Sequence, residues 1–176
     1  MEVVPDTRSD ANAFATVIVA IIMVNLLVIV VSILGSNTTW FQSLNKGPVN
    51  IWIILGSWII ATILSYIGLF LFYSHTLAPC AHSMWPTQKT RNLVVAMLFL
   101  ISAFLSLIWV AIFFYVQNIG LSLWLVSALF IYKFWVFIYM WYLKPVAAIF
   151  LIPILAVYIY LFYAMAHLAT LNNIPL

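Results

Sequence analysis

The side chains able to do acid–base, nucleophilic or metal chemistry are few in this chain, and their positions exclude most of it. All three carboxylates, Glu2, Asp6 and Asp10, fall within the first ten residues. Paired-carboxylate catalysis and carboxylate-held metals therefore have nothing to use further along. There is no His-Glu-x-x-His pair and no glycine loop to cradle phosphate. The serines have no base beside them in the sequence, so nothing activates them as nucleophiles. His75 and His82 flank Cys80. That spacing offers three metal ligands, or simply three polar residues of a loop. His167 has no second histidine deep in an apolar segment, so a haem held by two histidines is not expected. The reading assigns no catalytic residue and no metal, and leans against an enzyme.

Lys133 is the exception. It stands about eleven residues from either end of an apolar run, which at 1.5 Å per helical residue is roughly 16 Å of depth. A lysine stem of ~6 Å does not reach water from there. A charge at that depth costs about 2.5–3.5 kcal/mol on insertion scales. Without an acid in the run, its partners are hydroxyls, carbonyls, water, an aromatic face (Phe130 and Phe137 lie on its side of a helix) or the acid group of a ligand. One reading is a neutral or water-linked lysine without a task. The other is a pocket cation that meets a carboxylate such as a porphyrin propionate. Asn25, inside the first apolar run, is a further polar handle, with interhelical hydrogen bonding as its simplest use.

The elements that must position these residues follow from composition. Of 176 residues, 68% are hydrophobic and 5% are charged, against roughly 45–50% and about 25% in soluble domains. So few charges cannot cover a globule with solvated surface, and a net charge of +3 gives no basic patch for nucleic acid. The solvent is lipid. Five apolar runs, about 13–34, 51–73, 93–116, 121–143 and 146–171, each reach the ~20 residues that a helix needs to cross hydrocarbon. Backbone groups in lipid must be satisfied internally, and without strand alternation that means helices. The expected fold is an all-α five-helix transmembrane bundle, one integral membrane domain over residues 1–176 with short links. The acidic leader before the first run argues for a retained span rather than a signal peptide.

Basic residues orient it. Arg8, Lys89, Arg91 and Lys144 gather on the side of Met1, and Lys46 stands alone on the other. This places Met1 in the cytoplasm and Leu176 opposite. Tags at the two termini, probed by protease in sealed membranes, check it: protection of only one is expected, and equal behaviour of both would refute five spans. The aromatics are 17% of the chain. Trp40, Trp52, Trp85, Trp141 and Tyr142 fit interfacial belts. Trp58, Trp109, Trp124 and Trp135 lie deeper, either lining a site for a flat ligand or adding lipid-facing bulk.

Four motifs in order carry a resemblance. The first loop reads Trp40-Phe41-Gln42-Ser43-Leu44-Asn45-Lys46-Gly47-Pro48, then Trp52. Trp109-Val110-Ala111-Ile112-Phe113-Phe114 is followed by Gly120. Pro145-Val146-Ala147-Ala148 is followed by Pro153. Tyr163, Leu171 and Asn172 follow Pro153. Together they resemble the translocator-protein family (TspO/MBR type, the tryptophan-rich sensory proteins and peripheral benzodiazepine receptor group) over about residues 37–172. The resemblance implies a five-helix bundle with a pocket between helices, capped by the first loop, that takes a porphyrin or sterol for transport or sensing. It implies Trp40, Leu44, Lys46 and Pro48 in the lid, Leu55 and Gly56 on the second helix, Trp109 on the third, and Val157, Leu161 and Ala164 facing ligand on the fifth. Lys133 joins these on the chemical argument alone. No cofactor is required, with porphyrin or haem as a possible ligand. Membrane lipid and a second copy of the chain are the implied partners.

The departures fall at pocket and tail positions. Gly47 displaces the proline after Lys46, Gly56-Ser57-Trp58 stands for the family's Gly-Pro-x-Trp, Leu125 for its aspartate, Val157 for its tryptophan and Met165 for its asparagine. The missing tryptophan argues against porphyrin degradation. After Lys144 there is no Lys or Arg, so the family's C-terminal sterol motif is absent, although Val136–Tyr139–Lys144 meets the loose sterol pattern. A membrane enzyme acting on porphyrin or lipid, and a structural or assembly protein without a ligand, are the alternatives.

Overall fold

The computed structural model describes residues 7–47, 49–74 and 88–174, with side chains from Phe14 onward except at 74 and 88–90. The His75, Cys80 and His82 group and Pro48 lie outside the described residues. Helix α1 (Thr7–Ser36) leads into a short α2 (Thr39–Ser43). It is followed by α3 (Ile51–Ser74), α4 (Gln88–Ala111) with a π-helical turn over Ile112–Val116, α5 (Ile119–Leu143), α6 (Pro145–Ile149) and α7 (Ile152–Leu171). Five candidate spans result among the described residues: Phe14–Ser36, Ile51–Tyr73, Arg91–Val116, Ile119–Leu143 and Pro145–Leu171.

The first loop, which the resemblance implies as the lid, contains α2. Thr38 caps it, accepting a hydrogen bond from the Phe41 amide at 3.3 Å. The fifth span, expected as one helix, is α6 and α7 with a break at Phe150–Leu151. Pro153 has no N–H to offer the carbonyl four residues back, so the ladder cannot run through. Pro145 starts α6 where its missing donor costs nothing.

Burial picks one stripe from each helix. In α5 the buried residues are Ile119, Ser122, Val126, Leu129, Lys133, Val136 and Met140, alternating steps of three and four as in helix-bundle seams. In α1 the stripe is Ile21, Val24, Asn25, Val28 and Ser32. Helix α1 packs along α4, α4 on α5, α5 on α6 and α7, and these on α3. The ring closes loosely. Helix α1 meets α3 at scattered points, where Phe14 stacks on Tyr73 and Asn25 donates to the Tyr66 hydroxyl. The seam between α1 and α3 is the least packed edge of the bundle.

Candidate functional site

Helix α2 lies over one end of the bundle as a lid. Its underside is Phe41, edge-on to Phe113 at 6.0 Å and to Phe114 at 5.3 Å, with Trp40 edge-on to Phe113 at 5.6 Å. Trp109 stacks below Phe113 at 6.0 Å. The π-turn adds a residue to its helical turn, and both Phe113 and Phe114 are buried there. Gln117, in the left-handed region with φ 61°, ends the turn. Gly35 is required beneath, because a Cβ there would come within 2.3 Å of the Phe114 ring.

Lys46 does not reach down into the bundle. Its Nζ lies 4.6 Å from the centre of the Phe41 ring and donates to the Gln42 carbonyl at 3.4 Å, so it folds back on the lid. The far side of the lid is clasped to the end of α7. The Asn45 amide donates to Asn172 Oδ1 and Asn172 Nδ2 donates to the Asn45 carbonyl, each at 3.1 Å. Gly47 turns with φ +51°, close against Leu171 and His167. Asn172→Leu removes both bonds of this clasp, at about 1 kcal/mol each. We expect faster amide exchange at Asn45–Gly47 with the spans unchanged, read by hydrogen-exchange mass spectrometry. Unaltered exchange would mean that the aromatic seat alone holds the lid.

Two chambers lie under the lid. The upper one is lined by Val28, Ser32, Ile51, Ile54, Leu55, Trp58, Ser106, Trp109, Phe114, Tyr158 and Leu161, and holds about 430 Å³ of empty space counting its open mouth. Ser32 returns its hydroxyl to the Val28 carbonyl at 2.7 Å, which leaves the walls almost entirely apolar. Among the described residues the buried Trp109 indole N–H has no hydrogen-bond partner. An unpaired donor in such surroundings costs about 1–3 kcal/mol.

The floor of the upper chamber is Tyr158, whose hydroxyl lies 3.0 Å from Ser106 Oγ. Ser106 also donates to the Ser102 carbonyl at 2.9 Å, which leaves the phenol to donate in the pair. Trp58 lines the upper chamber together with Tyr158. Below this floor is the second chamber, about 300 Å³ of empty space counting its open side, walled by Asn25, Trp58, Thr62, Ser65, Tyr66, Phe99, Ser102, Ala103, Ser106, Lys133, Ile154 and Tyr158. It is polar where the upper one is apolar. Asn25 donates to the Ile21 carbonyl at 2.8 Å and to Tyr66, and Ser65 to the Ala61 carbonyl at 2.8 Å. Ser102 Oγ is buried without a partner among the described residues.

Of the residues singled out from sequence, Leu55, Trp109 and Leu161 come together on the upper chamber and Lys133 on the lower. Val157 and Ala164 are buried on the inward face of α7 beside Leu161 but line neither chamber. Gly56 has open space where a Cβ would stand and falls on the α3 face that carries the exposed Ile53, Ile60 and Ile63. Trp40 and Leu44 are half-buried in and after the lid helix. Of the four deep tryptophans, Trp58 and Trp109 point inward, while Trp124 is 71% and Trp135 53% exposed. The aromatic nearest Lys133 is Phe99 of α4, with Nζ 5.0 Å from the ring centre, rather than Phe130 or Phe137 on its own helix. No group of metal-ligating side chains occurs among the described residues.

The TspO/MBR family model matches residues 16–171, all five spans and the lid between them. The chain belongs to the TspO/MBR family. It is an integral, multi-pass membrane protein, and its outer faces meet lipid. No curated protein and no solved structure matches it.

Within this TspO/MBR bundle, sequence reasoning missed Tyr158, Ser106, Ser102, Thr62, Ser65 and Tyr66. A signal for them exists: hydroxyls recur at helical spacing inside apolar spans, Thr62, Ser65 and Tyr66 on α3 and Ser102 and Ser106 on α4. Polar groups set one turn apart in a membrane helix share a face, and that face turns from lipid.

Proposed function

We propose that the protein binds a flat, apolar ligand, a tetrapyrrole or a sterol, in the upper chamber beneath the lid, in the service of transport or sensing. The observation that carries this reading is the Trp109 N–H, buried and without a partner among the described residues, on a chamber whose other walls are aliphatic and aromatic apart from Ser32 and Ser106, which both donate to backbone carbonyls. An apolar slot with one free donor suits a ligand with a broad apolar face and an acceptor at its edge. The 430 Å³ of empty space counts the open mouth, so a guest the size of a sterol or a tetrapyrrole needs the slot to widen. A larger guest widens it at the sparsely packed α1–α3 seam, under the lid. Family membership supports the reading.

The test is a tryptophan-fluorescence titration of the detergent-purified protein with protoporphyrin IX and with cholesterol. Saturable quenching by at least one is expected, because Trp58 and Trp109 line the chamber. No saturation by either would leave a structural or assembly role. The outward Trp124 and Trp135 favour that role as the second reading, packed against lipid or a second copy of the chain. Trp40→Ala removes an aromatic from the lid's seat on Phe113. It should weaken binding by about 1–3 kcal/mol, the scale of one aromatic stack, without unfolding the bundle. Equal affinity in variant and wild type would mean that the lid takes no part.

A further inference from the structure

The lower chamber contains a cation in search of an anion. Lys133 is 8% exposed. Among the described residues, its ammonium has the Phe99 ring at 5.0 Å and no hydrogen bond. No carboxylate exists between Asp10 and the C-terminus. Asp10 is fifteen residues before Asn25 on α1, roughly 22 Å along the helix axis. On the same chamber, Ser102 Oγ is also buried and without a partner among the described residues. Asn25, Thr62 and Tyr66 complete the polar wall. Two unpaired polar groups from facing helices, on one cavity in an apolar bundle, mark a site built for something absent from the protein's own side chains. A water in the chamber satisfies hydrogen bonds but does not neutralise a charge.

We infer that the lower chamber is a carboxylate subsite, in which Lys133 neutralises and Ser102 hydrogen-bonds the acid group of a ligand whose apolar body fills the upper chamber. The inference rests on the upper chamber being the ligand site and adds the substrate class: a flat apolar body bearing a free carboxylate. The two chambers share Trp58, Ser106 and Tyr158 as walls. The Tyr158–Ser106 pair and Trp58 form the shared partition. A ligand acid passing this partition exchanges a hydroxyl–hydroxyl contact for charge-assisted bonds, which are about twice as strong. Because the neutralising charge comes from the guest, an esterified guest leaves the ammonium unpaired.

The test titrates wild type, Lys133→Met, Lys133→Arg and Ser102→Ala with protoporphyrin IX and its dimethyl ester. It repeats the titration with a carboxyl-bearing sterol and its methyl ester, which separates a tetrapyrrole source of the acid from a sterol source. Wild type is expected to hold the acid at least tenfold more tightly than the ester in one of the two pairs. Lys133→Met should reduce the acid to the affinity of the ester while the ester stays within about twofold. Lys133→Arg should keep the preference, and Ser102→Ala should lose part of it. Melting in the absence of ligand should show Lys133→Met at least as stable as wild type, since an unpaired buried charge has gone. Acid and ester bound equally by wild type would overturn the subsite while leaving the upper-chamber reading in place. An equal loss of both in Lys133→Met would do the same, assigning the lysine a packing role. If neither acid nor ester binds wild type in either pair, the upper-chamber reading fails and takes the subsite with it.

Discussion

Phe114→Ala is expected to destabilise the bundle by about 3–5 kcal/mol, the scale for deleting a buried aromatic. Phe114 is 1% exposed. Its ring meets Phe113 at 4.8 Å and Phe41 at 5.3 Å, and it fills the space that the missing side chain of Gly35 leaves. The hole cannot collapse easily. One wall is the backbone of α1, another the π-turn, and the third is the lid, held separately by the Asn45–Asn172 clasp. The same ring lines the upper chamber, so ligand affinity should fall with stability. Phe104 on the same span is the control. It is 49% exposed toward lipid, where the side chain trades one apolar environment for another, and Phe104→Ala should cost under about 1 kcal/mol. Unfolding in mixed micelles of rising denaturing-detergent fraction reads both. Equal losses for the two variants would mean that the aromatic seat contributes no more than lipid-facing bulk.

Why one phenylalanine matters and the other does not is legible in the sequence only in part. The five spans follow from length and hydropathy, because lipid leaves the backbone no alternative to helices. The lid motif and the Trp109–Phe114 passage identify the family without any packing information. Inward faces are harder, since a helix apolar on all sides gives no amphipathic signal. Trp124 and Trp135 illustrate it: both lie inside a span, as Trp58 does, and both face outward. The polar residues break that degeneracy. Lys133 shares a face with Ser122 eleven residues before it, and the three-and-four steps joining them run through Leu129 and Val126. Applied to α5, that register turns Lys133 inward and leaves Trp124 and Trp135 outside. The same logic groups Ser102 with Ser106 and both with Phe99 on α4. The Tyr158–Ser106 partition was not legible, because it depends on which faces of α4 and α7 meet. The break in the fifth span went unread, although Pro153 marks it, since its missing donor forbids a continuous ladder.

Leu55→Trp should abolish binding in the upper chamber while sparing the fold. Leu55 is half-buried on α3, at the mouth of the chamber along the α1–α3 seam. A larger side chain there has two places to go. One is the chamber itself, and the other is the open space beside Gly56, where an added Cβ meets nothing within 4 Å. Neither forces backbone apart, so the usual overpacking cost of about 1–3 kcal/mol should be largely avoided and the melting point should hold. A guest must compete with the indole for the same volume, and binding should weaken at least 100-fold, about 2.7 kcal/mol. Isothermal titration with the ligand that quenches wild type measures it, with Ile53→Trp on the exposed face of the same helix as the control. Wild-type affinity in Leu55→Trp, with the fold intact, would move the ligand away from the chamber and toward the outward aromatic face of α5. Loss in both variants would point instead to a general disturbance of α3. Only loss in Leu55→Trp with retention in Ile53→Trp places the guest between α1 and α3, under the lid.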